Sequence, residues 1–347
     1  MSPPPQGTLN GIQYLRAAAA IAVVLFHAAE KTGYHFAIGA AGVDVFFVIS
    51  GFIMWVVTAR REPTPLQFLR ARIRRIVPVY WLATAVMVAG ALGGLFPNLV
   101  LSLEHVLASL FFIPARSPSN GEIWPVLVQG WTLNYEMFFY LVFAAALLLP
   151  RASRLQAMGG LFGLLVIAGV SFNTDNAVLS SFTRPIILEF VAGMMIGELW
   201  LKGKMPAPAT GFALIALALS GFAAIEVAGL PFDALVCGPL AAGLVVGVLA
   251  LEAARRIRFV PVVSLLGDAS YSIYLWHTFA ISVVAKVGTS LASPHPGVLA
   301  IAVVSGIASG IIGSHLLERR GPVIARRAFV SVFSRQIRQR RETGTRP

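Results

Sequence analysis

Ten runs of about twenty mostly apolar residues divide this chain, and its fold follows from them. A helix needs roughly 20 apolar residues to cross the hydrocarbon core of a bilayer. The predicted spans lie at 12–30, 40–59, 77–96, 129–149, 156–172, 185–201, 209–229, 231–251, 268–290 and 297–317. Only 12% of the residues are charged, about half the share typical of soluble domains. We therefore predict an all-α, polytopic transmembrane helix bundle of about ten spans.

One further segment, 99–114, is apolar at helical spacing but contains Glu104 and His105. Ionisable side chains are costly at membrane depth, so an interfacial or re-entrant helix fits this segment better than an eleventh span. Counting it as a span would also invert the orientation of every later segment.

The lysines and arginines indicate how the bundle is oriented, because cytoplasmic loops of membrane proteins are enriched in them. With the N-terminus inside, the cytoplasmic segments hold 22 of the 27 basic residues. We therefore predict that both termini are cytoplasmic. The expected domains are a membrane domain over 1–320 and a basic tail over 321–347, which anionic lipid headgroups would attract.

The composition also excludes several classes of site and partner. The net charge is +12, but the basic residues lie in short clusters between apolar runs, so we expect no nucleic acid partner. Cys237 is the single cysteine, which excludes an intrachain disulfide and a thiolate-rich metal site. We expect no metal. Arg16, the apolar run after it and the following HAA also fit a secretory signal peptide, an alternative to a first span that stays open.

Ionisable residues within the predicted spans each need a partner or a function. They are Arg16, His27, Asp44, Glu136, Glu189, Glu198, Asp268 and His277. Arg16 and His27 are eleven residues apart, which places them on one face of the first span, about 16 Å apart along its axis.

Three sequence features that could belong to a functional site also have a simpler structural explanation. The residues alone do not decide between the two explanations. Ser50 and Gly51 interrupt an aromatic run, as residues at close helix contacts often do. His277 ends a polar stripe, GDASYSIYLWH, and could be a packing residue. The four arginines in FLRARIRR satisfy the orientation rule, although such a cluster also suits a phosphate-bearing ligand.

Five stretches together resemble the acyltransferase 3 family of integral membrane O-acyltransferases, in particular the bacterial exopolysaccharide acetyltransferases. They are YLRAAAAIAVVLFH with Arg16 and His27, FFVISGF at 46–52, FLRARIRRIVPVYW, WTLNYE at 131–136, and GDASYSIYLWH at 267–277. The resemblance covers roughly residues 8–320. Each stretch is a weak signal alone, but their order and spacing are specific.

The resemblance implies that an acyl group, commonly acetyl, passes from cytoplasmic acyl-CoA to a hydroxyl of a surface glycan or its lipid-linked precursor. The expected location is the bacterial inner membrane, and polysaccharide biosynthesis machinery is a possible partner. A sugar hydroxyl needs a general base, for which His27 is the candidate. Glu136 or Asp44 could orient the imidazole, and Arg16 would support the site electrostatically because it stays protonated.

The residues expected to bind the acyl-CoA donor are Arg70, Arg72, Arg75, Ser50, Tyr271 and His277. No Walker or Rossmann glycine pattern is present, so arginines would hold the phosphates. Direct attack on the thioester and an acyl-enzyme route both stay open, although Cys237 has no evident neighbouring base. The competing hypothesis is a non-enzymatic transporter or flippase of a lipid-linked saccharide. A purely structural subunit would leave His27 and Glu136 unexplained.

Overall fold

A computed structural model describes residues 9–172, 174–288 and 295–319, and within these ranges the chain forms twelve α-helices and no β-strand. The helices are α1 Asn10–Thr32, α2 Gly42–Arg61, α3 Pro65–Leu92, α4 Leu103–Leu110, α5 Trp131–Ala146, α6 Arg151–Ser171, α7 Ala177–Phe182, α8 Leu188–Leu201, α9 Pro208–Ala228, α10 Ala234–Ala253, α11 Pro261–Gly288 and α12 Pro296–Gly313. Each of the ten predicted spans coincides with one of these helices. The predicted all-α bundle is confirmed.

Seven helices in the described part of the chain are long and apolar enough to cross a membrane, namely α1, α2, α3, α6, α9, α10 and α12. The chain is therefore a multi-pass membrane protein. α5 and α8 have only 16 and 14 residues, and one 3-10 turn directly before each lengthens it. α11 has 28 residues but carries the polar stripe. For α5, α8 and α11, crossing of the membrane therefore remains a prediction from the sequence.

The ambiguous segment 99–114 contains α4, whose eight residues reach only about 12 Å along the helix axis. This is too short to cross a bilayer. α4 is tied to α3 instead, because Tyr80 donates a hydrogen bond to the carbonyl of Ser109 (3.1 Å) and Trp81 to that of Leu110 (2.8 Å). The structure thus agrees with a segment that does not span.

Basic residues collect where α2 and α8 end and α6 begins. Glu198 pairs there with Arg151 (3.4 Å) and Lys202 (3.0 Å) and accepts a hydrogen bond from the indole N–H of Trp55 (2.9 Å). We call this side of the bundle the basic end and the opposite side the distal end. The sequence predicts that the basic end is cytoplasmic.

Two glycines allow the backbones of α2 and α8 to touch. A methyl group on Gly51 would lie 2.0 Å from the carbonyl oxygen of Phe190, and one on Gly193 would lie 2.0 Å from that of Val48. Small residues permit such approach between membrane helices. Gly51 therefore serves helix packing, as the simpler explanation held, while the neighbouring Ser50 side chain points to a cavity on another face.

Candidate active site

A cavity of about 100 Å³ lies among α1, α2, α3, α5 and α11. It brings together six of the predicted site residues. They are Arg16, Ser50, Arg72, Arg75, Glu136 and Tyr271. We call this cavity the arginine pocket. Its volume is several times the ~10–15 Å³ that one water requires, and the exposed side chain of Arg75 marks its opening to the surface.

The arginine pocket carries a net positive charge, because three arginines and one carboxylate, Glu136, line it. Arg16, Arg72 and Arg75 line it, and within the described residues none of the three forms an ion pair. Arg16 donates only to neutral oxygens, those of Ser270 (2.9 Å) and Gln13 (3.2 Å), and the Nε of Arg72 is buried without a partner. Guanidinium groups stay charged and bind phosphate oxygens in pairs. The pocket therefore suits an anionic ligand.

Glu136 is the carboxylate of the arginine pocket, and two hydroxyl groups hold it. Ser50 donates a hydrogen bond to its Oε1 (3.1 Å), and the hydroxyl of Tyr140 donates to the same oxygen. Tyr140 lies one helical turn after Glu136 on α5, so it reaches the carboxylate from the same helix face. The arrangement fixes Glu136 beside the three arginines.

Aromatic and aliphatic side chains form the rest of the pocket wall. Two of them, Phe46 and Tyr274, lie between the pocket and the distal end. Tyr274 packs edge to face on Phe46, with ring centroids 6.1 Å apart. The Tyr274 hydroxyl donates to the carbonyl of Gln129 (3.1 Å) and accepts from Thr132 (3.0 Å). On its other side, Tyr274 lies 6.2 Å from the ring of His277.

His27 and His277 lie together beyond Tyr274, with ring centroids 5.2 Å apart and planes tilted by 36°. Neither lines the arginine pocket. His277 is fully buried, whereas a quarter of the His27 side chain is exposed. His277, which the sequence assigned to the donor, therefore lies beside the candidate base instead. We call these two residues the histidine pair.

Glu30 is the carboxylate nearest to His27. Its Oε2 lies 3.5 Å from the Nδ1 of His27, one helical turn earlier on α1. Within the described residues no hydrogen bond or ion pair joins His27 to Asp44 or Glu136. Glu30 was not among the residues predicted for the site, although its spacing of three residues from His27 places both on one helix face.

Asp44 lies in a different environment, next to Glu189. Both side chains are buried and close enough to interact electrostatically, while none of the four carboxyl oxygens has a hydrogen-bond partner in the described structure. Asp44 does not line the arginine pocket. The structure thus pairs Asp44 with Glu189 and separates it from the other predicted catalytic residues.

The remaining predictions concern Arg70, Cys237 and a metal. Arg70 is exposed and does not line the arginine pocket. Cys237 is buried in an apolar cluster with Ala41 and Ile225. Among the described residues no group of three or more histidine, cysteine, aspartate or glutamate side chains is placed to hold a metal ion.

Comparison with known proteins gives a consistent result. The family model described as "Acyltransferase domain" matches residues 9–318. The chain is 67% identical over 296 residues to the exopolysaccharide production protein ExoZ of Rhizobium meliloti, covering 85% of this chain and 93% of that protein. It is 29% identical over 352 residues to BcsY of Komagataeibacter xylinus, named as a membrane-bound transacylase, with 93% and 87% covered. No solved structure matches the chain.

Proposed function

Since this chain belongs to the acyltransferase 3 family of membrane proteins, we propose that it transfers an acetyl group from acetyl-CoA to a hydroxyl of an exopolysaccharide or its lipid-linked precursor. The proposed location is the bacterial inner membrane, with the basic end in the cytoplasm. An acyltransferase activity also leaves the transporter alternative without support. The relative named for exopolysaccharide production supports the choice of acceptor, and the relative named as a transacylase supports the type of reaction.

The single observation that carries the proposal is the arginine pocket. Acyl-CoA is a polyanion with an acyl thioester at the end of a long, flexible arm. Three arginines near the basic end, none of which forms an ion pair among the described residues, offer a binding site for its phosphates, and guanidinium forks suit phosphate oxygens. The apolar and aromatic wall beyond them suits the pantetheine arm and the acyl group.

The histidine pair lies where the arm would end. Arg16 and His27 are about 16 Å apart along α1, so one donor molecule must extend past Ser50 and Tyr274 to bring its thioester to His27. Tyr274 and Phe46 stand between the two regions. The donor therefore requires these rings to rotate before the thioester reaches the histidines.

With the thioester at the histidine pair, the proposed reaction is transfer of the acetyl group to the acceptor hydroxyl. His27 takes the proton of the acceptor hydroxyl while the hydroxyl oxygen attacks the thioester carbonyl carbon. The new ester C–O bond forms, the C–S bond breaks, and coenzyme A leaves as a thiolate that takes up one proton. Glu30 orients the imidazole through Nδ1 and stabilises its protonated form, the role that carboxylates have beside catalytic histidines.

The test is coenzyme A release by the full-length protein in nanodiscs. The acceptor is the lipid-linked saccharide fraction from cells that lack the protein, and the donor is acetyl-CoA. We expect acceptor-dependent release by the wild type and loss of release in His27→Ala. No release by the wild type with acetyl-CoA or other short acyl-CoA donors, in protein shown to be folded, would overturn the proposal.

A further inference from the structure

Tyr271 lines the arginine pocket, yet its hydroxyl group is committed to the protein itself. It donates a hydrogen bond of 2.8 Å to the backbone carbonyl of Ile76 on α3. A phenol has a single proton to donate, so this proton is not available to a bound acyl-CoA. The contact instead links α11 to the segment of α3 that carries Arg72 and Arg75.

This segment of α3 packs on the bundle mainly through one side chain. Among residues 65–75, all of which the structure describes, Phe68 is the one buried side chain. It lies against the rings of Tyr140 and Phe143, with centroids 5.9 Å and 5.2 Å away. Arg75 is exposed. The position of the arginines therefore depends on what holds the helix backbone near them.

A proline lies two residues after the carbonyl that Tyr271 holds. Pro78 is inside α3, and proline lacks the N–H that would bond to the carbonyl four residues earlier, that of Arg74. Helices bend most readily at such a point. The hydrogen bond from Tyr271 is made on the arginine side of the proline, where it can fix the direction of residues 65–77.

The residue before Tyr271 has a matching contact with the third arginine. The hydroxyl of Ser270 accepts a hydrogen bond from Arg16 of α1 (2.9 Å), and Ser270 is buried. Two consecutive residues of α11 thus contact both helices that contribute arginines to the pocket. α11 is the common support of the three charges.

We propose that Tyr271 is a positioning residue for donor binding: its hydrogen bond to Ile76 holds this half of α3 so that Arg72 and Arg75 line the arginine pocket before acyl-CoA arrives. The inference rests on the proposed function and adds to it a residue that acts through the arginines. Groups that are already in place bind a ligand without the cost of being ordered by it. The Tyr271 hydroxyl therefore strengthens acyl-CoA binding and takes no part in the transfer step.

The experiment measures the Kd of acetyl-CoA, without acceptor, for the full-length protein in nanodiscs. Tyr271→Phe removes only the hydroxyl, and we expect Kd to rise about fivefold, as for one neutral hydrogen bond, with kcat for coenzyme A release unchanged. Tyr14→Phe is the matched control, because Tyr14 donates the same kind of bond to the carbonyl of Arg258 (2.6 Å) and does not line the pocket. A wild-type Kd in Tyr271→Phe would overturn the inference.

Combined variants separate positioning from direct contact with the ligand. If Tyr271 acts through the arginines, part of its effect disappears when one of them is removed. Adding Tyr271→Phe should raise Kd only about twofold in Arg72→Gln and in Arg75→Gln, but about fivefold in Arg74→Gln. The same fivefold rise in all three would overturn the inference, because the hydroxyl would then contact acetyl-CoA itself. An absence of binding by the folded wild type would instead overturn the proposed function.

A measurement on the wild type keeps the inference falsifiable if Tyr271→Phe does not fold. Hydrogen exchange of the backbone amides of residues 69–77 reports whether this half of α3 is ordered. We expect slow exchange without acetyl-CoA and less than about a twofold change when it is added. Rapid exchange that becomes slow only with acetyl-CoA would overturn the inference, because the ligand rather than Tyr271 would then order the segment.

Discussion

The arginine pocket and the histidine pair are both polar regions inside one apolar bundle, yet they are built differently. The arginine pocket holds three arginines and one carboxylate; among the described residues Arg16 donates to neutral oxygens and the Nε of Arg72 has no partner. The histidine pair holds two imidazoles, one fully buried, and the other is paired with the carboxylate of Glu30. This difference is the basis of our proposal that anion binding and proton transfer occupy separate places, which one extended donor joins.

The largest expected effect comes from removing the proposed base. His27→Gln keeps a polar side chain but cannot take a proton, so kcat should fall by ~10²–10⁴-fold while the KM for acetyl-CoA stays unchanged. Coenzyme A release measures both values. His35→Gln is the matched control, because His35 is an exposed histidine paired at 3.6 Å with Glu226 and lies outside both regions. Equal activity in the two variants would remove His27 from the reaction.

The next effect concerns donor binding in the arginine pocket. Arg72→Gln or Arg75→Gln removes a charged donor to phosphate, worth ~1.5–3 kcal/mol, so each should raise the KM for acetyl-CoA about 10- to 100-fold with little change in kcat. Arg74→Gln is the control, because this exposed arginine of the same helix does not line the pocket. A fall in kcat at constant KM would contradict the assignment.

The two carboxylates that the sequence places beside His27, Glu136 and Asp44, should differ in their effect on acyl transfer. Glu136→Gln alters the group that Ser50 and Tyr140 hold in the arginine pocket, so we expect transfer to fall by about tenfold, as for one hydrogen-bonded charge. Asp44→Asn changes a residue that faces Glu189 instead, and transfer should stay within about threefold of wild type. The reverse order, measured by the same release assay, would return Asp44 to the site.

The smallest expected effect is that of Glu30→Gln. More than half of the Glu30 side chain is exposed, so solvent weakens its interaction with His27. We expect kcat to fall about threefold, with the KM values unchanged and the protein equally stable to heating. A loss as large as that of His27→Gln would show that the dyad acts as one unit.

The helices could be predicted from the sequence because a bilayer imposes long apolar segments with internally satisfied backbones. The ten predicted runs accordingly coincide with helices. Glu104, His105 and the distribution of basic residues left 99–114 out of the predicted spans, and α4 is too short to cross. Short helices such as α8 reach the length of a predicted span only together with the 3-10 turn that precedes them.

The site could be predicted only in part, because hydropathy does not fix which helix faces meet. Arg16, Ser50 and Glu136 come together as one would expect of polar residues that avoid lipid. Asp44 and Glu189 are 145 residues apart in the chain, and nothing in either segment signals that they pair. Tyr271 and His277 were both assigned to the donor, yet they are six residues apart on α11, about 1.7 helical turns, and only Tyr271 lines the arginine pocket.

Equilibrium binding of acetyl-CoA in the absence of acceptor tests the separation of the two regions most directly. The account predicts the same Kd for His27→Gln as for the wild type, and a Kd about tenfold or more higher for Arg72→Gln. A weakened Kd in His27→Gln together with a wild-type Kd in Arg72→Gln would contradict it, because donor binding would then lie at the histidine pair.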